Sequence, residues 1–158
     1  MTRVATLALL IALVAPARAP RRDVPRTFAR ADTATVDVRE PTVVAYLVIP
    51  RGAVDSSADL AVLADDWNVA MATLGDSLGA IGVRLALVTE PRLRVRATGR
   101  RDVVLALDDE PRAGYVFARP GAAPCHRRGA MDPADVLRTA RALAARARAG
   151  AARRRITC

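Results

Sequence analysis

A chain of 158 residues has room for one domain and a leader, which excludes a multidomain assembly. Hydrophobic residues make up 52% of it and aromatic residues only 3%, so the core must be built from Val, Leu, Ile and Ala, and aromatic stacking platforms for single-stranded nucleic acid are excluded. All 25 basic residues are Arg, set against 16 acidic residues for a net charge of +9. The lack of Lys suggests a GC-rich coding sequence more than a selected chemistry, and the charge favours loose association with anionic partners without naming one.

Residues 1–19 read as a secretory signal peptide. Arg3 supplies the positive start, Val4 to Ala15 is an apolar run interrupted only by Thr6, and two small-x-small sites follow at Ala15-Pro-Ala17 and Ala17-Arg-Ala19. The first is the better site, because cutting after Ala19 would leave Pro20 at the new N-terminus. The run is shorter than the roughly twenty residues a spanning helix needs, and no Cys follows it for a lipid anchor. The mature chain is therefore expected to be exported, periplasmic or secreted, without a membrane span. Loss of all of residues 1–19, with Arg3 and Arg18, leaves a net charge of about +7.

Residues 20–41, rich in Arg, Asp, Pro and Thr, read as a flexible arm. Within it Thr35-Val-Asp-Val38 alternates polar and apolar as a short edge strand would. Glu40-Pro41 forces an extended lead into Thr42–Ile49, which is apolar on both faces and predicts a central strand covered on two sides. Pro50-Arg-Gly52 closes it. A long helix is predicted from about Ser57 to Ile81, capped by Ser56 with Asp59 as a capping-box variant, or by Ser57. Leu60, Leu63, Ala64, Trp67, Ala70, Met71, Leu74, Leu78 and Ile81 form its apolar stripe, with Asp65, Asp66, Asn68, Thr73 and Asp76 away from it. Gly75 and Gly79 weaken the second half by about 1 kcal/mol each relative to Ala, and Gly82 is a natural stop.

Val83–Val88 is a second strand, and the strand–helix–strand order predicts a right-handed parallel unit. Leu93-Arg-Val-Arg-Ala97 alternates as an exposed strand, Thr98–Arg101 is a turn and Asp102–Leu107 a further strand. Asp108–Ala113 is a polar loop and Gly114–Ala118 another strand. The short link between the last two predicts that they pair antiparallel. Residues 122–131 read as a loop carrying Cys125 and the only His, His126. Asp132-Pro133 opens the last helix, whose inner face is Val136, Ala140, Leu143, Ala144 and Ala147; Arg138, Arg141, Arg146 and Arg148 point elsewhere. Gly150 ends it, before a basic tail over residues 150–158.

Strand, long helix, strand, strand pair and helix, over residues 42–149, resemble the thioredoxin-like fold with one helix replaced. The first helix leaves the first strand across a short turn. Gly114-Tyr-Val-Phe-Ala-Arg-Pro-Gly121 is similar to the penultimate hairpin of periplasmic thioredoxin-like proteins, and Gly129-Ala-Met-Asp-Pro-Ala-Asp-Val-Leu137 to their glycine-then-helix ending. The resemblance implies an α/β fold with a central mixed sheet of four to five strands, a long first helix and a C-terminal helix. It also implies a ligand-facing region where Gly52, Ser56 and Ser57 meet Pro111. The family's Cys-x-x-Cys would fall at about Gly52 to Ser57, which holds no Cys, so dithiol–disulfide exchange is not carried over.

Cys125 and Cys158 are the only cysteines. In an exported protein the first reading is a disulfide between them, stabilising by about 3–4 kcal/mol in the chain-entropy account. The alternatives are two unpaired or intermolecular thiols, or a reactive thiol at Cys125 made acidic by His126, Arg127 and Arg128. His126 has too few neighbouring ligands for a metal site and reads as an exposed loop residue. Ser56 and Ser57 are explained by capping, and no nucleophile elbow or triad order is present. Asp65-Asp66 and Asp108-Asp-Glu110 read as solvated acidic clusters, without calcium-loop spacing. The sequence thus predicts an exported thioredoxin-like domain without a dithiol, acting as a binding or structural module, with no cofactor. Its partner is an unspecified protein or anionic surface and not a specific nucleic acid. The alternatives are a redox protein working through Cys125, or an accessory protein binding an anionic surface through the Arg-rich C-terminal end, Arg138 to Arg155.

Overall fold

A computed structural model describes residues 32–49 and 58–149. The expected leader, most of the arm, Gly52, Ser56, Ser57, the basic tail and Cys158 lie outside the described residues.

The apolar run after Pro41 becomes β2 (Thr42–Leu47), five of whose six residues are buried. It is a central strand, as its two-sided apolar pattern requires. One neighbour is β3 (Arg84–Val88), parallel, with Thr42 opposite Arg84. The other is β6 (Ala113–Ala118), antiparallel, with Tyr46 opposite Gly114. β6 in turn pairs antiparallel with β7 (Cys125–Arg128). The resulting sheet is mixed and four-stranded, in the order β3-β2-β6-β7. Between β2 and β3 runs α1 (Ala58–Gly79), and after β7 comes α2 (Pro133–Arg148).

A second, three-stranded sheet has the order β1-β4-β5, from β1 (Thr33–Val38), β4 (Arg92–Ala97) and β5 (Val103–Ala106). β1 lies at its edge, parallel to β4, and β5 pairs antiparallel with β4. Residues of the four-stranded sheet alternate between two cores. Val43, Ala45, Tyr115, Phe117 and Cys125 pack with Met71, Leu74 and Leu78 of α1 and with Val136, Ala140, Leu143 and Ala144 of α2. Val44, Tyr46, Val88, Val116 and Ala118 pack with Val36, Val38, Leu93, Val95 and Ala97 of the second sheet. The molecule is therefore three layers deep: helices, four-stranded sheet, three-stranded sheet.

Several sequence expectations are corrected. Asp102–Leu107 and Gly114–Ala118 do not pair with each other; β5 belongs to one sheet and β6 to the other. The polar link Asp108–Arg112 carries the chain between layers, while Leu107 N–H extends the β4–β5 ladder by donating to Pro91 O at 2.8 Å. The segment Leu93–Ala97 is not an exposed strand: Leu93, Val95 and Ala97 are buried in the second core and only its Arg-bearing face turns outward. Residues 125–128 form a strand rather than loop: β6 is buried, and its backbone N–H and C=O groups on the side away from β2 need partners, which β7 supplies.

The inner stripe of α1 is buried only in its second half. Met71, Leu74 and Leu78 are buried and Trp67 packs beside them, but Leu63 is 49% exposed and Ala70 is exposed. A helix of 22 residues is about 33 Å long, whereas the five- and six-residue strands under it span about 17–20 Å, so its first turns overhang the sheet.

Two of the expected helix ends lie within the described residues and are present, while Ser56, Ser57 and Gly150 lie outside them. Gly82, with φ +73°, turns the chain out of α1. Asp132 caps α2, its carboxylate accepting from Ala134 N at 2.7 Å, with Pro133 opening the helix. Val136, Ala140, Leu143 and Ala144 form the buried face of α2.

Candidate functional site

Alternation along β2, β6 and β7 puts Tyr46, Gly114, His126 and Arg128 on the sheet face opposite the helices. Gly114 lies between Tyr46 and Arg128 in register. Having no side chain, it lets the Tyr46 ring cross β6 and reach the far strand. Tyr46 Oη and His126 Nε2 are 2.8 Å apart, with ring centroids 5.5 Å apart and planes inclined by 59°. A Cβ at Gly114 would lie 2.6 Å from Tyr46 Oη and 2.9 Å from Cζ, and would run into the carbonyl oxygen of Arg127. Gly114 is thus the opening through which two residues 80 positions apart join.

The loop after β5 walls this corner. Val48 N–H donates to Arg112 O at 2.8 Å, tying the end of β2 to the loop, and Gly129 N–H donates to Ala113 O at 2.7 Å. The Glu110–Pro111 peptide is cis. Pro111 sits against Gly129, where a Cβ would be 3.6 Å from Pro111 Cγ. Asp109 accepts from the Arg128 guanidinium at 2.9 Å, and Glu110 pairs with Arg112 at 3.0 Å. The acidic cluster Asp108-Asp-Glu110 is therefore drawn into ion pairs at two of its three carboxylates. Among the described residues no group of His, Cys, Asp and Glu is arranged to hold a metal ion.

Burial, then the positive charge of Arg128, lowers the pKa of His126, with Asp109 opposing them. Burial raises that of Tyr46, partly offset by Arg128. Near neutral pH the pair is uncharged. A neutral imidazole that accepts the tyrosyl proton at Nε2 carries its own proton on Nδ1 and can offer it as a donor. Tyr46 is 1% exposed, so the half-buried His126 imidazole is the member of the pair that can meet a ligand. The Tyr46 phenol, held protonated, is a poor nucleophile.

Of the sequence candidates, Pro111 lies in this corner, while Gly52, Ser56 and Ser57 lie outside the described residues. Cys125 is 4% exposed, faces the helix-side core and is disulfide-bonded; Cys158 lies outside the described residues. His126 is corrected from an exposed loop position to a half-buried strand position with a tyrosine partner. Asp65 and Asp66 are exposed on α1, as expected of a solvated pair. Sequence reasoning missed Tyr46. The signal that could have found it was Gly114 itself, a lone glycine in an apolar strand that often marks a close approach.

Comparison with known proteins adds no relative: no family model, no curated protein and no solved structure matches this chain.

Proposed function

We propose that this chain is an exported thioredoxin-like domain without a dithiol, which works as a binding module at the corner formed by Tyr46, His126, Pro111 and Gly129. The thioredoxin-like part of the reading is supported by the order β3-β2-β6-β7 with β3 parallel to β2 and the other pairs antiparallel, by two helices on one face, and by Pro111 just ahead of β6. In place of the replaced helix stand β4 and β5, which join β1 as a second sheet. Export is supported by the leader pattern and by the disulfide at Cys125, a bond that persists in oxidising compartments.

The observation that carries the binding reading is the Tyr46–His126 hydrogen bond across Gly114. It holds the half-buried His126 imidazole in a fixed orientation next to a backbone corner. Redox work through Cys125 is disfavoured by that residue's burial and bonding. The anionic-surface reading draws support from Arg138, Arg141, Arg146 and Arg148, all exposed on α2.

The test is a display library of extended peptides panned against the full mature chain, in parallel with a dithiothreitol-driven insulin reduction assay. The expected result is enrichment of a peptide class that His126→Ala loses, with no catalysed reduction. Catalysed reduction abolished by Cys125→Ser would replace the binding reading with the redox one.

A further inference from the structure

At the opposite end of β2 from Tyr46, the parallel strands β1 and β4 finish side by side, with Asp37 opposite Arg96 and Val38 opposite Ala97. A cavity of about 350 Å³ opens there, lined by Arg39, Arg96 and Arg100 together with Thr98, Gly99 and one carboxylate, Asp37. Two of the three guanidiniums are held from behind. Arg96 Nε lies 3.3 Å from the Asp102 carboxylate. Arg100 Nε donates to Gly121 O at 3.2 Å, and Gly121 N–H donates back to the same turn at Thr98 O, 3.0 Å away. That turn is closed by Arg100 N–H on Ala97 O at 3.0 Å and needs Gly99 at φ +77°. Arg96 and Arg100 are thus fixed through Nε, the nitrogen nearest the backbone, which leaves their terminal nitrogens for a ligand.

Two other cavities among the described residues differ. The one beside α2's start, lined by Arg127, Arg128 and Arg138, also holds Asp132 and Asp135, and two of its arginines are tied to carboxylates, Arg128 to Asp109 and Arg138 to Asp135. The cavity near Gly82 has Arg141 and Arg148 around an alanine-rich wall, and its turn, Ala80 to Gly82, is held by hydrogen bonds back into α1. Of these three cavities among the described residues, the β1–β4 one joins three guanidiniums to a turn tied by reciprocal hydrogen bonds to a separate loop at Gly121.

We propose that this cavity binds a phosphate or sulfate group, with Arg39, Arg96 and Arg100 as its ligands. Planar guanidiniums with free terminal N–H groups match the oxygen spacing of such anions in paired hydrogen bonds. The site is independent of the Tyr46–His126 corner and does not rest on the thioredoxin-like reading.

The test is an NMR titration of the full mature chain with inorganic phosphate, and separately with sulfate, at ionic strength held constant with chloride. Saturable shifts of the Gly99 amide and the arginine Nε–H signals are expected. Arg39→Gln, a residue with no described ion pair to disturb, should weaken binding about tenfold, the effect of one charge-assisted contact. Arg146→Gln removes the same charge from the exposed face of α2 and should leave binding unchanged. Shifts that fail to saturate, that chloride reproduces, or that Arg146→Gln reduces as much as Arg39→Gln would overturn the proposal. Co-sedimentation with phosphatidylcholine vesicles, with and without phosphatidic acid, distinguishes the source. Binding to the acidic vesicles that Arg39→Gln abolishes supports a lipid headgroup. Saturable phosphate binding without vesicle binding supports a soluble ligand.

Discussion

Along the four-stranded sheet, Val43, Ala45, Tyr115, Phe117 and Cys125 face the helices, while Val44, Tyr46, Val116, Ala118 and His126 face the other way. The same three strands thus make two unlike surfaces. The helix side is closed by Met71, Leu74 and Leu78 from α1 and by the inner face of α2, and it carries large rings in Tyr115 and Phe117, whose centroids are 6.4 Å apart. The other side is mostly Val, Leu and Ala under the second sheet, and it ends in the hydrogen-bonded Tyr46–His126 pair. The first face buries the two aromatic rings of β6 against both helices. The Tyr46–His126 hydrogen bond sits on the second, at the glycine gap that lets a tyrosine cross a strand.

Substitutions should tell the two faces apart. Phe117→Ala, on the helix side and 0% exposed, should have the largest effect, a loss of about 4 kcal/mol in urea unfolding. Gly114→Ala, on the other side, should cost about 3 kcal/mol by forcing Tyr46 off its partner, and the same variant should lose the Tyr46–His126 contact by NMR. A neutral result at Gly114 would mean that the ring does not cross β6. Tyr46→Phe keeps the ring and removes the hydroxyl, for an expected loss of about 1 kcal/mol with unchanged packing signals. Gly75→Ala, in α1, tests the opposite sign. Its new methyl would meet Leu85 Cδ2 at an ordinary 3.5 Å, so thermal unfolding should show a gain of about 0.5–1 kcal/mol.

The smallest effect is pH dependence. His126 has a lowered folded pKa, first from burial and then from Arg128. Between that value and the ordinary 6.5, the unfolded chain binds more protons than the folded one. The contribution to stability is fully present above about pH 6.5 and shrinks as the pH falls through that window. Urea midpoints at a series of pH values should therefore decline on acidification, and His126→Gln should flatten that part of the curve.

Much of the helical layer was legible in the sequence. Asp132-Pro133 announced α2 through cap chemistry, and Val136, Ala140, Leu143 and Ala144 lay on one stripe that the structure buries. The parallel pairing of β2 with β3 followed from the handedness of strand–helix–strand units. The second sheet was not legible, because Thr33–Val38 and Arg92–Ala97 alternate like any half-exposed strand and pattern alone does not name a partner 59 residues away, as for Thr33 and Arg92. The first turns of α1 misled for a different reason: Leu63 continues the apolar stripe beyond the end of the surface that could cover it. In the candidate site, Pro111 could be picked out by resemblance, but the Tyr46–His126 bond could not, since it depends on two strand registers at once.

The most direct measurement is the histidine NMR titration of the chain, read together with the nuclear Overhauser contacts of the Tyr46 ring. The account predicts that His126 titrates below 6.5, with Nε2 as the acceptor nitrogen and a contact to Tyr46 that Gly114→Ala abolishes. A His126 that titrates at or above 6.5, with no contact to Tyr46, would contradict it.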